Sequence, residues 1–326
     1  MEQKQCSFNQ KILSLIPKEI KHLGELIQLN SGSEEDFNRK KFFRLKTEIS
    51  AKDIHLTVGQ KICDNFKKQQ IFYKLLPKFV PKPLFIVQDK EVEVSVIGQE
   101  FIEGHTIEYF FNEYPEKAQE LFLLLKENLN KQIVKSSTNE WLDEFNILKS
   151  KVLKINGLSD VDKIILNNEI FPYIENYISD QNPNKRWTNG DLAPRNLLVD
   201  QDDKVWLIDF EFASQTHFFD EDIVRFFQYS NEMLKSSNFL QALQSKVDCC
   251  LKSYFWLKQA ILDNETKPNP TKIDFLKVNL SNCFLALEAN KASSYLLAGT
   301  LSSVNSFHKH LEGLHQEKHI TNVQVQ

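Results

Sequence analysis

Glycine is scarce in this sequence, with 9 residues in a chain of 326. Neither the G-x-G-x-x-G pattern of a dinucleotide-binding turn nor the G-x-x-x-x-G-K-[ST] pattern of a phosphate-binding loop occurs in it. Both patterns need glycine because the backbone must approach the phosphates closely. A dinucleotide-binding Rossmann unit and a Walker-type NTPase are therefore both disfavoured, and any bound nucleotide needs another device to hold its phosphates.

Long apolar runs and a metal-binding cysteine pattern are missing as well. No run approaches the ~20 residues of a membrane-spanning helix, and the start, MEQKQCSFNQ, lacks the apolar region of a signal peptide. The five cysteines have no zinc-ligand spacing, and their odd number, together with the expected lack of a signal peptide, predicts reduced thiols in the cytoplasm. A formal net charge of -4 gives no general attraction to nucleic acid or anionic lipid, so we expect neither as a partner.

The first third of the chain predicts a small α+β lobe. Residues 11–27 predict a helix, and residues 60–76 carry apolar residues at helical spacing up to Pro77. The β-rich runs are residues 40–48, 54–59, 79–87 and 91–104. One main helix among strand pairs predicts an N-terminal lobe over residues 1–104.

Helical periodicity dominates after Gly104. The predicted helices are residues 116–134, 141–154 and 165–179, and the region from about 220 to 317 is again mainly helical. A second β-rich segment occupies residues 197–212. We therefore expect a larger, mainly helical C-terminal lobe over residues 105–326.

The most informative segment is RWTNGDLAPRNLLVDQDDKVWLIDFEFA, residues 186–213. LLVD and VWLI are strand-like, and a polar turn joins them. If Asp200 pairs with Val205, antiparallel register places Asn196 opposite Asp209. An amide oxygen and a carboxylate at the open end of a hairpin are a donor set suited to Mg2+.

Asp191 lies five residues before Asn196, in a loop stiffened by Pro194. A carboxylate held beside a metal pair can accept a proton from an attacking hydroxyl. One acid for the nucleophile and two oxygen donors for metal and phosphate are the parts that phosphoryl transfer requires. The alternative is that these are ordinary turn residues, but their fixed spacing between apolar strands favours a site.

The run NGDLAPRN resembles the catalytic loop of kinase-fold enzymes, and IDFE, thirteen residues after Asn196, resembles their second metal motif. Glu211 follows Phe210 where protein kinases have glycine, so IDFEFA is more similar to the aminoglycoside and choline/ethanolamine phosphotransferases. The resemblance implies a bilobal, protein-kinase-like fold of class α+β, with ATP and Mg2+ as cofactors. It implies Asp191 as catalytic base, and Asn196 and Asp209 as metal ligands.

Two further segments resemble this family. GQEFIEG resembles the hinge between the lobes, which implies that the backbone of Glu100 and Ile102, on either side of Phe101, hydrogen-bonds adenine beside Gln99 at the gatekeeper position. FFDEDIVRFF resembles the segment whose buried aspartate braces the catalytic loop, which implies that role for Asp222.

Three departures from the family pattern concern support of the loop and the phosphates. Asn189 stands where these enzymes usually have histidine, and Gln69 and Gln70 stand where a helix normally offers glutamate. Thr57 stands where a strand would carry the phosphate-gripping lysine. The candidates left open for that grip are Lys46, Arg44 and Lys61.

The sequence therefore predicts a cytoplasmic, ATP- and Mg-dependent phosphotransferase acting on a hydroxyl of a small molecule or glycan. Sugars, amino-alcohols and aminoglycosides are all open as acceptors, and a likeness of NGDLAPRN to kinase-like enzymes of bacterial surface polysaccharide pathways favours a glycan. The alternative is a non-catalytic pseudokinase that scaffolds partners, favoured by the missing lysine and glutamate. The sequence leaves open the oligomeric state and the role of the N-terminal helix.

Overall fold

The computed structural model describes most of the chain up to residue 266. The described residues are 10, 12–17, 20, 25–29, 40–46, 52–60, 62–89, 94–155, 158–228, 230, 239, 248–266 and 282–283. Their elements divide between two compact units, one drawn from residues 1–135 and 184–244, the other from residues 136–183 and 245–326. The lobe boundary predicted at residue 104 is a different division and stays a prediction.

Strands and helices are numbered in chain order. The strands are β1 Leu26–Gln28, β2 Lys41–Leu45, β3 Ile54–Gly59, β4 Pro83–Asp89, β5 Val94–Glu100, β6 Gly104–Thr106, β7 Val134–Lys135, β8 Asn184–Thr188, β9 Leu197–Asp200, β10 Val205–Leu207 and β11 Ser214–Thr216. The α-helices are α1 Cys63–Leu75, α2 Ile107–Glu113, α3 Pro115–Asn130, α4 Thr138–Leu153, α5 Asp160–Ile165, α6 Phe171–Asp180, α7 Glu221–Gln228 and α8 Cys249–Thr266. A 3-10 turn spans Pro194–Asn196, and a π-helical turn spans Leu166–Ile170.

A five-stranded antiparallel sheet in the order β1-β2-β3-β5-β4 forms the N-terminal part of the first unit. The predicted β-rich runs are confirmed there. The helix predicted over residues 11–27 is wrong at its end, because Leu26 and Ile27 pair with Leu45 and Arg44 as part of β1. Short apolar runs of this length fit either element, and the hydrogen-bonding edge offered by β2 decides for a strand.

Alternation along β2 and β3 gives this sheet two different faces. Phe43, Leu56 and Val58 are fully buried in a core that also takes Ile12 and Ile16 from the helical turn before β1. The even-numbered residues of β2 and the odd-numbered residues His55 and Thr57 of β3 are only partly buried. Since side chains of a strand alternate between faces, these residues form the second face, which borders the candidate site.

Helix α1 connects this sheet to the segment that carries the predicted metal motif. Its buried stripe is Phe66, Gln69 and Phe72, at the spacing of one helix face. The ring of Phe72 lies 5.0 Å from that of Phe210 and 6.2 Å from that of Trp187. The helix ends before Pro77, which cannot donate to a further helical turn. The helix predicted over residues 60–76 is thus confirmed.

The β9–β10 hairpin corrects the predicted register by one residue. Val199 pairs with Val205, so Asp200 pairs with Lys204 and Asn196 lies beside Ile208. The cause is a three-residue turn, in which Asp200 Oδ1 accepts the backbone N–H groups of Asp202 and Lys204. Asp203 takes the left-handed conformation (φ 61°) that this kind of turn requires.

The second unit is helical among its described residues and contains α4, α5, α6 and α8. Side-chain caps start two of these helices: Ser137 accepts from the backbone of Glu140, and Ser159 forms a capping box with Asp162. The predicted helices 116–134, 141–154 and 165–179 are confirmed with shifted ends. Within the described residues, no helix combines the length and the apolarity needed to cross a bilayer.

Gly104 is a position where this fold leaves no room for a side chain. It pairs with Asp200, and a Cβ there would lie 2.2 Å from the Val199 carbonyl oxygen, whereas one at Gly59 would find its nearest neighbour at 3.5 Å. We expect Gly104→Ala to lower the free energy of unfolding by about 1–3 kcal/mol and Gly59→Ala to change it by less than about 0.5 kcal/mol. Urea denaturation of both variants measures this, and equal midpoints would contradict it.

Candidate active site

A cavity of about 490 Å³ opens between the second face of the five-stranded sheet and the β9–β10 hairpin. Its volume lies within the roughly 300–1,000 Å³ of small-molecule sites. The lining residues are Leu29, Lys40, Phe42, His55, Thr57, Asn65, Gln69, Ile97, Gln99, Phe101, Ile102, Arg195, Asn196, Leu198, Ile208, Asp209 and Phe210. All of them belong to the first unit.

One end of this cavity is apolar and aromatic. The His55 ring stacks on Phe42 with 5.7 Å between centroids. His55 pairs in register with Gln99, where β5 runs into Phe101 and Ile102. Burial lowers the pKa of His55 to about 4, so the imidazole is neutral at pH 7. An uncharged, flat-sided end of this kind suits an aromatic ring.

Asp191 is buried and held by three side chains. Arg225 Nε donates to its Oδ1 at 2.8 Å, and Asn196 Nδ2 and Arg195 Nη2 donate to its Oδ2 at 3.0 Å and 3.1 Å. The Arg225 pair is almost fully buried on both sides. These bonds fix the carboxylate in one orientation, since a buried charge is stable only when it is paired.

A second buried carboxylate, that of Asp222, holds the loop before Asp191. Asp222 accepts the backbone N–H groups of Gly190 at 3.0 Å and Asn189 at 3.3 Å, with Arg186 3.6 Å away. Burial raises the pKa of Asp222 to about 6 and outweighs the opposite effect of Arg186. Gly190 has φ +74°, and a Cβ there would lie 2.3 Å from the Phe212 carbonyl oxygen, so this position requires glycine.

Asn189 joins the loop that carries Asp191 to the segment that carries Asp209. Its side-chain amide donates to the Asp209 carbonyl oxygen at 2.7 Å and accepts the Asp191 N–H at 3.2 Å. The residue is fully buried. The Asn189 amide thus both donates and accepts a hydrogen bond, which gives it a structural role. The sequence resemblance implies histidine at this position.

Asn196 and Asp209 fit a hard metal ion. Asn196 Nδ2 donates to the Asp191 carbonyl and carboxylate oxygens, which turns its Oδ1 the other way. Asp209 keeps 41% of its side chain exposed, yet desolvation by the surrounding protein raises its pKa, against the effect of the nearby Lys40. Within the described part of the chain, no group of three or more His, Cys, Asp or Glu side chains could hold a metal. Two oxygen donors beside room for phosphates are the set that Mg2+ uses.

Lys40, immediately before β2, brings a positive charge to this end of the cavity. Its Nζ lies 2.5 Å from Glu211 Oε2 and 3.9 Å from Asp209 Oδ1. The ion pair is partly exposed, and such pairs typically contribute roughly 0–1 kcal/mol to stability. An anion of higher charge can therefore take the place of Glu211 at small cost.

Comparison with known sequences yields nothing, since no protein-family model matches the chain and no curated protein is similar to it. Solved structures do match. A thermostable variant of aminoglycoside phosphotransferase APH(4)-Ia gives a TM-score of 0.61 at 12% identity, over 82% of this chain and 94% of the other. Choline kinase LicA from Streptococcus pneumoniae gives 0.52 at 16% identity, over 88% and 99%. Plasmodium vivax ethanolamine kinase gives 0.50 at 15% identity, over 85% and 86%.

The chain has the kinase-like fold of these proteins. The predicted α+β, protein-kinase-like fold is thus confirmed. At identities of 12–16% the likeness concerns the fold, so the chemistry depends on this chain's own residues.

Several residues predicted for the kinase-like site come together in the structure. Asn196 and Asp209 line the cavity, Asp191 is bonded to Asn196, and Asp222 contacts the loop backbone. The predicted hinge residues Gln99, Phe101 and Ile102 line the cavity as well. The Glu100 N–H, one of the backbone groups predicted to bind adenine, is bonded to the Lys82 carbonyl oxygen.

The predicted phosphate-gripping candidates lie elsewhere. Lys46 follows the hinge end of β2, is half exposed and lies 3.8 Å from Glu25. Arg44 stacks on Phe101 and pairs with Asp53, and Lys61 lies outside the described residues. Sequence reasoning missed Lys40, which precedes the strand in a polar run, and Arg225, whose signal was its position three residues after Asp222 on one helix face.

His55 generates a pH prediction. The unfolded chain binds a proton at this residue near pH 6.5 and the folded chain only near pH 4, so folding stability falls as pH drops through this window. We expect His55→Phe, which keeps an aromatic ring against Phe42, to remove about 1–2 kcal/mol of that fall between pH 6.5 and 4.5. Urea denaturation at several pH values measures it, and identical pH profiles for both proteins would contradict it.

Proposed function

We propose that this protein is a small-molecule kinase that transfers the γ-phosphoryl group of Mg-ATP to a hydroxyl of a sugar, glycan, amino-alcohol or aminoglycoside-like acceptor. The single observation that carries the proposal is the joining of Asp191 to Asn196 by a hydrogen bond, with Asn196 and Asp209 lining one cavity. A proton acceptor and two hard-oxygen donors then lie at one place, as phosphoryl transfer requires.

The aromatic end of the cavity is proposed to take the adenine ring. Phe42 and His55 would cover one side of the ring, and Ile102 and the Glu100 carbonyl group would offer hydrogen bonds to its edge. The APH(4)-Ia variant with the same fold is described in a ternary complex with AMP-PNP, an ATP analogue, and hygromycin B. A nucleotide in this position would have its phosphates toward Asn196 and Asp209.

Asn196 and Asp209 would hold Mg2+. When bound, the ion would neutralise charge on the β and γ phosphates. Asp209 gains from this because its carboxylate is partly desolvated and its pKa is raised. Asn196 presents its amide oxygen because its amide nitrogen is engaged by Asp191.

Asp191 would orient and deprotonate the acceptor. Its carboxylate would take the hydroxyl proton as the acceptor oxygen bonds to the γ phosphorus and the bond from that phosphorus to the ADP oxygen breaks. Arg225 holds one carboxylate oxygen from the buried side. The carboxylate therefore keeps its direction while the acceptor approaches.

The matching structures and the sequence both bear on the class of acceptor. By their names, the matching proteins are an aminoglycoside phosphotransferase, which is in complex with hygromycin B, a choline kinase and an ethanolamine kinase. All three classes carry a free hydroxyl, and the sequence resemblance favours a glycan. A cytoplasmic site of reaction fits the free thiols Cys63 and Cys283.

A nucleotide-binding module without catalysis is the second candidate. Thr57 and Gln69 line the cavity where a lysine on the strand and a glutamate on the helix were expected. Turnover with a competent acceptor, dependent on Asp191, separates the two functions.

The metal site is tested by Asp209→Asn. The variant keeps a residue that accepts the left-handed backbone (φ 57°) but loses the carboxylate charge, so we expect Mg-dependent ATP binding to disappear. Asp203→Asn is the matched control, since Asp203 has the same conformation (φ 61°) in the hairpin turn. Calorimetric titration of ATP with and without Mg2+ measures both, and unchanged Mg-dependent affinity in Asp209→Asn would count against the site.

The proposed base is tested by Asp191→Asn. We expect ATP binding to persist and turnover to fall by about 10²–10⁴-fold. The substitution also leaves the buried Arg225 without its carboxylate, so thermal unfolding is followed in parallel to exclude loss of fold. A folded Asp191→Asn variant that phosphorylates the acceptor at the wild-type rate would remove Asp191 from this role.

A further inference from the structure

The described residues that line the cavity include one lysine and one arginine, Lys40 and Arg195. Arg195 donates to the Asp191 carboxylate, 3.1 Å away, from the C-terminal side of the catalytic loop. Lys40 reaches the cavity from the sheet, where its Nζ lies 3.9 Å from a carboxylate oxygen of Asp209. Lys40 is therefore the cation of the sheet that lies beside the proposed metal ligand.

The register of β2 and β3 gives the position of Lys40 along the cavity. Arg44 pairs with His55 at the aromatic end, and Phe42 pairs with Thr57. Lys40 lies four residues from Arg44 in an extended chain, which is roughly 13 Å. The backbone positions of Lys40 and of the residue that pairs with His55 are therefore separated along the strand by a distance of the order that a nucleobase and its phosphates need.

Thr57 faces the cavity from β3, the strand on which a phosphate-gripping lysine was expected. It pairs with Phe42, two residues from Lys40 on the same face of β2. A lysine that starts beside β2 can thus bring its ammonium group to the region that a longer side chain at Thr57 would occupy. The missing lysine is replaced from the neighbouring strand.

Glu211 completes this arrangement as the counter-ion. Its carboxylate pairs with Lys40 at 2.5 Å, and its carbonyl oxygen accepts from Lys68 Nζ at 2.6 Å. Lys68 belongs to α1, the helix that carries Gln69 instead of a glutamate. The expected pattern is a lysine on β3 that pairs with a glutamate on α1. Here Lys40 and Glu211 form the lysine–glutamate pair, and Lys68 links Glu211 to α1.

We infer that Lys40 binds the α and β phosphates of the nucleotide, and that Glu211 is its partner when no nucleotide is bound. The inference rests on the proposed function. On binding, the ammonium group exchanges one anionic oxygen of Glu211 for phosphate oxygens of higher charge, so it keeps a charged partner in both states. The presence of Thr57, Gln69 and Glu211 then has one common explanation: Lys40 takes the place of the lysine expected on β3, and Glu211 takes the place of the glutamate expected on α1.

The competing interpretation is an ion pair that only joins β2 to the metal motif. Such a pair would contribute to folding and would leave the nucleotide unaffected. The two interpretations differ in what happens when phosphates are added to the same base, which gives the experiment its design.

The experiment compares adenosine, ADP and Mg-ATP by calorimetric titration into wild type, Lys40→Met and Lys46→Met. Methionine keeps most of the apolar stem and removes the charge. Lys46 is the matched control, because it follows the same strand and also pairs with a glutamate, at the other end. We expect Lys40→Met to bind adenosine like wild type and to bind ADP and Mg-ATP at least about tenfold more weakly, the loss of one charge-assisted hydrogen bond.

The control and the rescue variant complete the test. Lys46→Met should match wild type for all three ligands. Adding Thr57→Lys to Lys40→Met should recover part of the affinity for ADP and Mg-ATP, since the new ammonium group starts from the adjacent strand. Equal ADP and Mg-ATP affinities in Lys40→Met and Lys46→Met, in a protein whose wild type binds both, would overturn the inference alone. Absence of nucleotide binding in wild type would instead overturn the proposed function and, with it, the role of Lys40.

Discussion

The fully buried carboxylate of Asp222 is the constraint on which the candidate site depends. It accepts two consecutive backbone N–H groups, from Asn189 and Gly190, and lies beside the buried guanidinium of Arg186. Burial opposes ionisation of both partners, raising the pKa of Asp222 and lowering that of Arg186. Charges in such a position are retained only where their hydrogen bonds are well made. The loop before Asp191 is therefore held by its backbone, whatever its side chains do.

The position of this loop then determines the positions of the segments that carry Asp191 and Asp209. Asn189, once its backbone is fixed, uses its side chain to hold both the Asp191 N–H and the Asp209 carbonyl oxygen. Asn196 returns to Asp191 through its amide nitrogen. Asp191 and the proposed metal ligands Asn196 and Asp209 are thus connected through hydrogen bonds within one unit, which is how a site keeps its geometry before any ligand arrives.

Much of the fold and the central part of the site could be predicted from the sequence. Alternating apolar residues identified the strands, and the spacing of Asp191, Asn196 and Asp209 identified residues that the structure places close together. The hairpin register could not be predicted, because it depends on Asp200 bonding the backbone of its own turn. A side chain that competes for backbone donors changes the loop length by one residue without changing the hydrophobic pattern.

The position of Lys40, the proposed phosphate-binding cation, could not be predicted because its neighbours lie far away in the sequence. Lys40 and Glu211 are 171 residues apart, and their pairing follows only once the sheet and the hairpin are in place. The sequence pattern indicates which strand should carry the lysine, and that strand, β3, has Thr57 instead. It does not indicate which other residues reach the same part of the cavity. Lys40, just before the adjacent strand β2, lines the same cavity as Thr57.

The left-handed conformation of Asp209 (φ 57°) restricts this position independently of its chemistry. Glycine, asparagine and aspartate accept such a backbone, and other residues strain it. Aspartate alone of the three offers a carboxylate, so backbone and chemistry select the same residue. A descendant of this protein that gave up metal binding but kept its fold is therefore expected to carry asparagine or glycine here. A change from aspartate to asparagine or glycine at position 209 would therefore indicate loss of metal binding without loss of the fold.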